Sequence, residues 1–394
     1  MRKGIHIVFV CLCLAALAVG LGRTLFLPKE VNQYENRYAN QVPAFTLSAF
    51  LDGSFQSGAD AALMDQIPAA QYMKKFYNLC ASRYGRGVLD ALSEPLGLDG
   101  TRYVRFGALR LFGEDYITSW PRDIPSVLPE LDARINNLNA AFARHPDMDF
   151  TVFYIEKDSD VDFETMKQSG IDEYLLNSLL IPAEKKGVYS VDDFDTFSRY
   201  FYKTDSHWNA DGSYAAYRQL FDLLGCEGAP LAPAGKAVEV SAAFSGKKAA
   251  TIGADGVFTE TFRAYPYDFP PMKVTINGAP AADYGRQEEY LSGAAEDPVS
   301  YGMFYGRDNG ETVLSAGTEG RGRILVVGDS FDNALLKLLA CHYDALYSVD
   351  LRYYEHSMGK PFRLSDYVSE RGIDKVLLIG NVDFFVSDTF DLED

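Results

Sequence analysis

Three apolar runs near the C-terminal end constrain the fold more than any other feature. Ile324-Leu-Val-Val-Gly328, Leu346 to Leu351 and Lys375 to Gly380 each read as a buried strand. Asn333 to His342 and Leu364 to Arg371, which separate them, read as helices. Short strands alternating with short helices imply parallel β-α-β units, whose ligands sit at the carboxyl ends of the strands. The same alternation is visible earlier. A helix is expected over Pro129 to His145, with Leu131, Ile135, Leu138 and Phe142 on one stripe, and a buried strand over Phe150 to Glu156. A helix over Ile171 to Leu180, a strand over Gly187 to Tyr189, a helix over Val191 to Tyr202 and another over Ala210 to Leu224 follow. Leu98 to Tyr116 has Gly-punctuated apolar runs and reads as hairpin strands.

Between the two α/β parts the composition changes. Residues 225–322 are rich in Ala, Gly and Pro and carry short β-like runs: Val238 to Val240, Phe258 to Phe262 and Met272 to Ile276. Asn277-Gly278 is a hairpin-turn signal. The expected organisation is a signal anchor or signal peptide over 1–28, a helical segment over 29–95, an α/β domain over 96–224 and 323–394, and a β-rich insertion over 225–322 between its parts.

Arg2 and Lys3 precede an almost uncharged run from Gly4 to Gly22. Nineteen residues at 1.5 Å each span roughly 28 Å, the thickness of a hydrocarbon core. Positive charge ahead of the run and none inside it predict a cytoplasmic N-terminus and an exported body. The run reads as an uncleaved anchor, or as a signal peptide cleaved near Ala16-Leu17-Ala18. Cys11 and Cys13 lie inside it. The body keeps Cys80, Cys226 and Cys341, three thiols that cannot all pair with one another, so no disulfide framework is expected. The net charge of −18 argues against nucleic acid as a partner, since a phosphate backbone asks for a basic face. There is no P-loop spacing, no H-E-x-x-H and no paired C-x-x-C, so no cofactor and no metal site are expected.

Two short motifs carry chemistry. Gly328-Asp329-Ser330-Phe331 stands where an apolar strand gives way to a helix, so Ser330 sits at the carboxyl edge of the sheet. Nearby helix-start N–H groups there could hold an oxyanion. The same position also suits a helix-capping serine. A nucleophilic serine needs a base. Of the five histidines, His6 lies in the apolar run, His145 and His342 at helix ends and His356 in a loop. His207 lies in Tyr202-Lys-Thr-Asp-Ser-His-Trp-Asn209. Asp205, two residues before it, could accept the Nδ1 proton and leave Nε2 as base. The bland alternative is a surface turn ahead of a helix. Trp208 could wall the pocket or stack on a sugar ring.

Asp205-Ser-His207-Trp208, followed about 120 residues later by a strand ending in Gly328-Asp-Ser-Phe331, resembles the bacterial DHHW family. It is similar also to the SGNH hydrolase-like domain of the alginate O-acetylation proteins. The likeness extends to the N-terminal anchor, to Glu35-Asn-Arg37 and to Val349-Asp-Leu-Arg-Tyr-Tyr354. It departs at Ser206, where the family signature has a second His. It also lacks Pro-x-Lys after the Phe150 strand, where this chain has Glu156-Lys-Asp158. The resemblance implies an SGNH-like parallel sheet with flanking helices, circularly permuted because the Asp/His block precedes the Ser block. It implies Ser330 as nucleophile, His207 as base and Asp205 as its orienting partner. Arg352 would bind an acyl oxygen or anionic sugar, and Asn381 would serve as an oxyanion donor. The expected function is O-acetyl transfer or acetyl-ester hydrolysis on a cell-surface polysaccharide, in the cell envelope. A membrane-bound O-acyltransferase would be the partner that feeds it. The alternative is a non-catalytic polysaccharide-binding or scaffold component.

Overall fold

The computed structural model describes residues 116–390 apart from 253, residues 37–66, and, elsewhere, residues 11, 14, 15, 18, 19, 21, 22, 26–29, 31, 32, 76, 105, 106, 109–112 and 392. Most of the expected membrane anchor, Glu35-Asn36, Cys80 and most of 67–104 lie outside the described residues. Among the described residues no helix is long and apolar enough to cross a membrane. The chain forms two compact units. One comprises Met1–Phe106 with Ala249–Asp255, and the other Gly107–Lys248 with Gly256–Asp394. In the first, the helix Leu47–Leu51 is capped by Thr46, whose hydroxyl accepts the Ala49 N–H, and is followed by the helix Ser54–Gln66.

The second unit is a three-layer α/β body. Its sheet contains β1 (Asp149–Ile155), β2 (Lys186–Tyr189), β3 (Lys273–Ile276), β4 (Ala279–Ala281), β5 (Glu311–Ser315), β6 (Arg323–Val327), β7 (Ala345–Val349) and β8 (Lys375–Gly380). The order across the sheet is β4-β3-β5-β7-β6-β8-β1-β2. The five strands from β7 to β2 are parallel, and β4, β3 and β5 extend the sheet antiparallel. Strict alternation in the parallel strands fills both faces, as a sheet covered on both sides requires. Ile324, Val326, Leu377, Ile379, Phe153 and Ile155 enter one core. Leu325, Val327, Val376, Leu378, Val152 and Tyr154 enter the other.

The helix α1 (Ile124–Arg144) packs its Leu131, Leu138 and Phe142 into the second core. It starts five residues before the expected Pro129, because Asp123 and Ser126 form a reciprocal capping box that sets the start. The helix α2 (Ala210–Leu223) packs Ala216, Tyr217 and Leu220 into the first core. Three strands of the β-rich insertion complete the central sheet. Its Asn277-Gly278 turn has φ of 49° and 77°, the left-handed pair that a two-residue hairpin demands. His356, expected in a loop, instead lies in the last turn of the helix Leu351–Met358. The expected helix over Asn333 to His342 is a 3-10 turn, Asp332–Ala334, followed by the short helix Leu336–Ala340. Cys226 and Cys341 are free thiols.

Candidate active site

The segment before α2 doubles back on itself. Phe201 and Trp208 bridge antiparallel, the Tyr202 N–H donates to the His207 carbonyl at 3.1 Å, and the Asn209 N–H donates to the Tyr200 carbonyl at 2.8 Å. Asn209 then caps α2 by accepting the Asp211 and Gly212 N–H groups. Inside this closed loop, Asp205 Oδ1 accepts the His207 backbone N–H at 3.1 Å and faces His207 Nδ1 at 2.5 Å. Its other oxygen, Oδ2, accepts the Lys247 backbone N–H at 2.7 Å. Glu260 holds the start of the loop by accepting the Lys203 and Thr204 N–H groups and the Thr204 hydroxyl. The Gly246 N–H donates to that same hydroxyl. Gly246 passes so close that a Cβ there would lie 2.4 Å from Asp205 Cβ, so any side chain at this position must displace Asp205 or its own loop.

The serine arrives from β6. Gly328 turns the chain against Asp332, and Asp329 Oδ1 closes the turn by accepting the Phe331 N–H at 3.0 Å. The 3-10 turn that follows begins after Phe331, so Ser330 is not its cap. Its hydroxyl lies 2.7 Å from His207 Nε2 instead. The two motifs, 123 residues apart in the chain, thus form one continuous line from Asp205 through His207 to Ser330.

Burial surrounds this line and tunes it. The His207 and Asp205 side chains are 8% and 4% exposed. Burial opposes ionisation of Asp205. The facing His207 and the N–H groups of Lys247 and His207 outweigh it and hold the carboxyl well below the usual range. Tyr301 lies flat on the imidazole, with centroids 3.9 Å apart and planes within 6°, and Phe331 approaches from another side at 5.0 Å. On either side of Ser330 in the chain, burial raises Asp329 and Asp332, and neighbouring carboxylates push Asp332 further up.

The remaining expected residues are placed as follows. Trp208 is fully buried and packs edge-on against Tyr189 and Phe331 in the core. Arg352 is engaged by two carboxylates: Asp350, which it meets through Nε at 2.9 Å and Nη2 at 2.5 Å, and Asp308 at 3.4 Å. Burial and that guanidinium together leave Asp350 at about 6. Asn381, at the carboxyl end of β8, caps the helix Val382–Phe385 by accepting the Asp383 N–H at 2.9 Å. Lys157, where Pro-x-Lys is missing, is buried and paired with Asp383 at 2.5 Å. Tyr301, Gly246, Lys247 and Glu260 were not expected at the site. All four come from the insertion, and none lies in a motif.

Among the described residues no group of three or more His, Cys, Asp or Glu side chains is arranged to hold a metal ion. No family model matches the chain, and no curated protein matches it. Solved structures do. A DHHW family protein from Eubacterium siraeum aligns with 72% of this chain and 94% of its own, at 15% identity and a TM-score of 0.52. PatB1 of Bacillus cereus, solved with a sulfonyl adduct, aligns with 72% of this chain and 97% of its own, at 19% identity and a TM-score of 0.50. The chain shares their fold.

Proposed function

We propose that this protein is a serine-dependent O-acyltransferase or esterase that handles acetyl groups on a cell-surface polysaccharide, from a body held outside the cytoplasm by its N-terminal run. The observation that carries the reading is the 2.7 Å contact between Ser330 Oγ and His207 Nε2, with Asp205 behind the ring. The acceptor and donor classes rest on the likeness of the two motifs to the DHHW and alginate-type proteins.

In this mechanism Ser330 Oγ attacks the acyl carbonyl carbon while its proton passes to His207 Nε2. The resulting imidazolium is held by Asp205, whose carboxylate stays ionised. Collapse of the tetrahedral oxyanion breaks the bond to the leaving alcohol, which takes the proton back from Nε2. A sugar hydroxyl then repeats the sequence in reverse on the acyl-serine. When water enters in its place, the product is free acetate.

The sheet topology supports the permuted arrangement. Numbered from β6, the parallel strands β7-β6-β8-β1-β2 run 2-1-3-4-5, the doubly wound order whose ligand crevice lies where the chain switches direction. Ser330 leaves β6 at that switch, since β7 follows on one side and β8 on the other. The Asp205/His207 loop follows β2, the fifth strand in that numbering.

The test is turnover of p-nitrophenyl acetate by the wild type, Ser330→Ala and His207→Ala, with a sulfonyl fluoride as the serine reagent. The reading expects a single adduct on Ser330, absent in Ser330→Ala, and loss of turnover in both variants. Equal residual rates in all three proteins would instead identify a non-catalytic component of a surface assembly.

A further inference from the structure

A cavity of about 740 Å³ opens beside the carboxyl ends of β8 and β1. Trp120, Arg122, Asp123, Asp162, Gln168 and Asp383 are among its walls; Ser330 and His207 are not. Its volume lies within the range of small-molecule sites, and one partly exposed indole set among hydrogen-bonding side chains is a surface for stacking a sugar ring. Arg110 lies over the indole, with its guanidinium carbon 4.8 Å from the ring centroid.

The cavity shares its framework with the serine site. Trp120 directly follows the strand Tyr116–Ser119, whose Ile117 N–H donates at 3.0 Å to the carbonyl of Lys203, two residues before Asp205. The Ser119 N–H donates to Asp158, which pairs at 2.7 Å with Lys248. Lys248 adjoins Lys247, the backbone donor to Asp205. On the other wall, Asp383 stands two residues beyond Asn381 at the end of β8, the strand next to β6.

The charges of the walls select the ligand class. Arg122 pairs with Asp383 at 2.5 Å, and Arg110, which lies outside the lining, faces Asp162 and Glu164 at 3.8 and 3.6 Å. The wall has two bases, Arg122, paired in this way, and Lys167, whose charge acts on Asp162; the carboxylates of Asp123, Asp162 and Asp383 outnumber them, which disfavours an anionic chain.

We infer that this cavity is a subsite that binds a neutral oligosaccharide chain by stacking it on Trp120, next to the serine site. The inference rests on the reading of that site as one acting on a glycan. The subsite gives the polymer a hold that does not depend on the acyl group, which directs the attacking hydroxyl of one sugar in a chain toward Ser330.

The chain contains two Trp, and Trp208 is fully buried, so quenching of Trp fluorescence by iodide reports on Trp120. The experiment uses the full chain carrying Ser330→Ala, with cellotetraose and tetra-N-acetylchitotetraose as neutral probes and tetragalacturonate as the anionic comparator. A neutral probe is expected to protect Trp120 saturably and to give saturation-transfer NMR signals. In the same background Trp120→Ala should weaken binding at least about tenfold, and Trp120→Phe, which keeps a ring and guards against misfolding, should weaken it less. Absence of protection and of transfer with both neutral probes overturns the inference. Unchanged transfer in Trp120→Ala, or tighter binding of tetragalacturonate, does the same. Sulfonylation of the wild-type serine is measured separately, so an inert serine and an absent subsite give different results.

Discussion

Replacing Gly246 with alanine should perturb catalysis while leaving every residue of the Asp-His-Ser line unchanged in identity. The new Cβ would stand 2.4 Å from Asp205 Cβ, 2.6 Å from its Oδ2 and 2.8 Å from its Cα. Carbon atoms in contact prefer about 3.5–4.0 Å, so the two segments must part by about 1 Å. They cannot part freely, because Lys247, the next residue, donates its N–H to Asp205 Oδ2 at 2.7 Å. Either that bond is lost or Asp205 moves off His207. A displacement of about 1 Å in a catalytic array costs about 10² in rate, or about 2.7 kcal/mol of barrier. Complete loss of the orienting carboxylate costs about 10⁴, which sets the ceiling. The expected kcat for p-nitrophenyl acetate is therefore about 10² to 10⁴ below wild type. The fold should survive with the loss of about 1–3 kcal/mol typical of overpacking. The decisive comparison is a cycle with Asp205→Ala. If Gly246 acts through Asp205, the double variant is no slower than Asp205→Ala alone. A Gly246→Ala rate close to wild type, or a full additional loss in the double variant, refutes the reasoning.

Other perturbations follow from the same geometry. Tyr301→Phe keeps the ring on His207 and should keep the rate, whereas Tyr301→Ala should lower kcat and cost about 3–5 kcal/mol in urea unfolding; equal rates in the two variants would remove the ring from the mechanism. Burial pushes Glu156 up from 4.5 to about 8, so the folded state holds an extra proton. Its contribution is complete below about pH 4.5 and disappears as pH rises through 8, where the native state must ionise a buried group. Tm should fall over that window and fall less in Glu156→Gln; parallel curves would contradict this. Lys248→Met strands Asp158, 1% exposed, without its cation, and should cost about 3–5 kcal/mol. Adding Asp158→Asn should recover part of it, measured by denaturant midpoint.

The parts of the site that could be read in the sequence are those encoded locally. Asp205 and His207 lie two residues apart, and Ser330 is marked by the apolar strand that ends at its turn. The alternating strands were readable for the same reason, because period-two burial leaves its trace in five or six consecutive residues. What escaped is what the insertion brings back. Gly246 and Lys247 meet Asp205 from about forty residues away and Tyr301 meets His207 from more than ninety, through contacts that no periodicity encodes. An indole beside a histidine reads equally as a ligand platform or a core ring, and only the burial of Trp208 shows its place among the core rings. The composition of the insertion shows that it is β-rich but not where its strands go, because they are short and polar, as edge additions to an existing sheet are.

The strand order also fixes when the molecule can be completed. β8 is bonded to β6 on one side and β1 on the other, so it alone joins the two halves of the parallel sheet. Of the eight strands of this sheet it is the last in chain order, so it leaves the ribosome after the other seven. Until residue 380 has emerged, β1 waits with one hydrogen-bonding edge unpaired, an invitation to pair with another chain. A nascent protein of this topology depends on protection of that edge until β8 arrives, and a lesion that erased only β8 would divide the sheet rather than trim it.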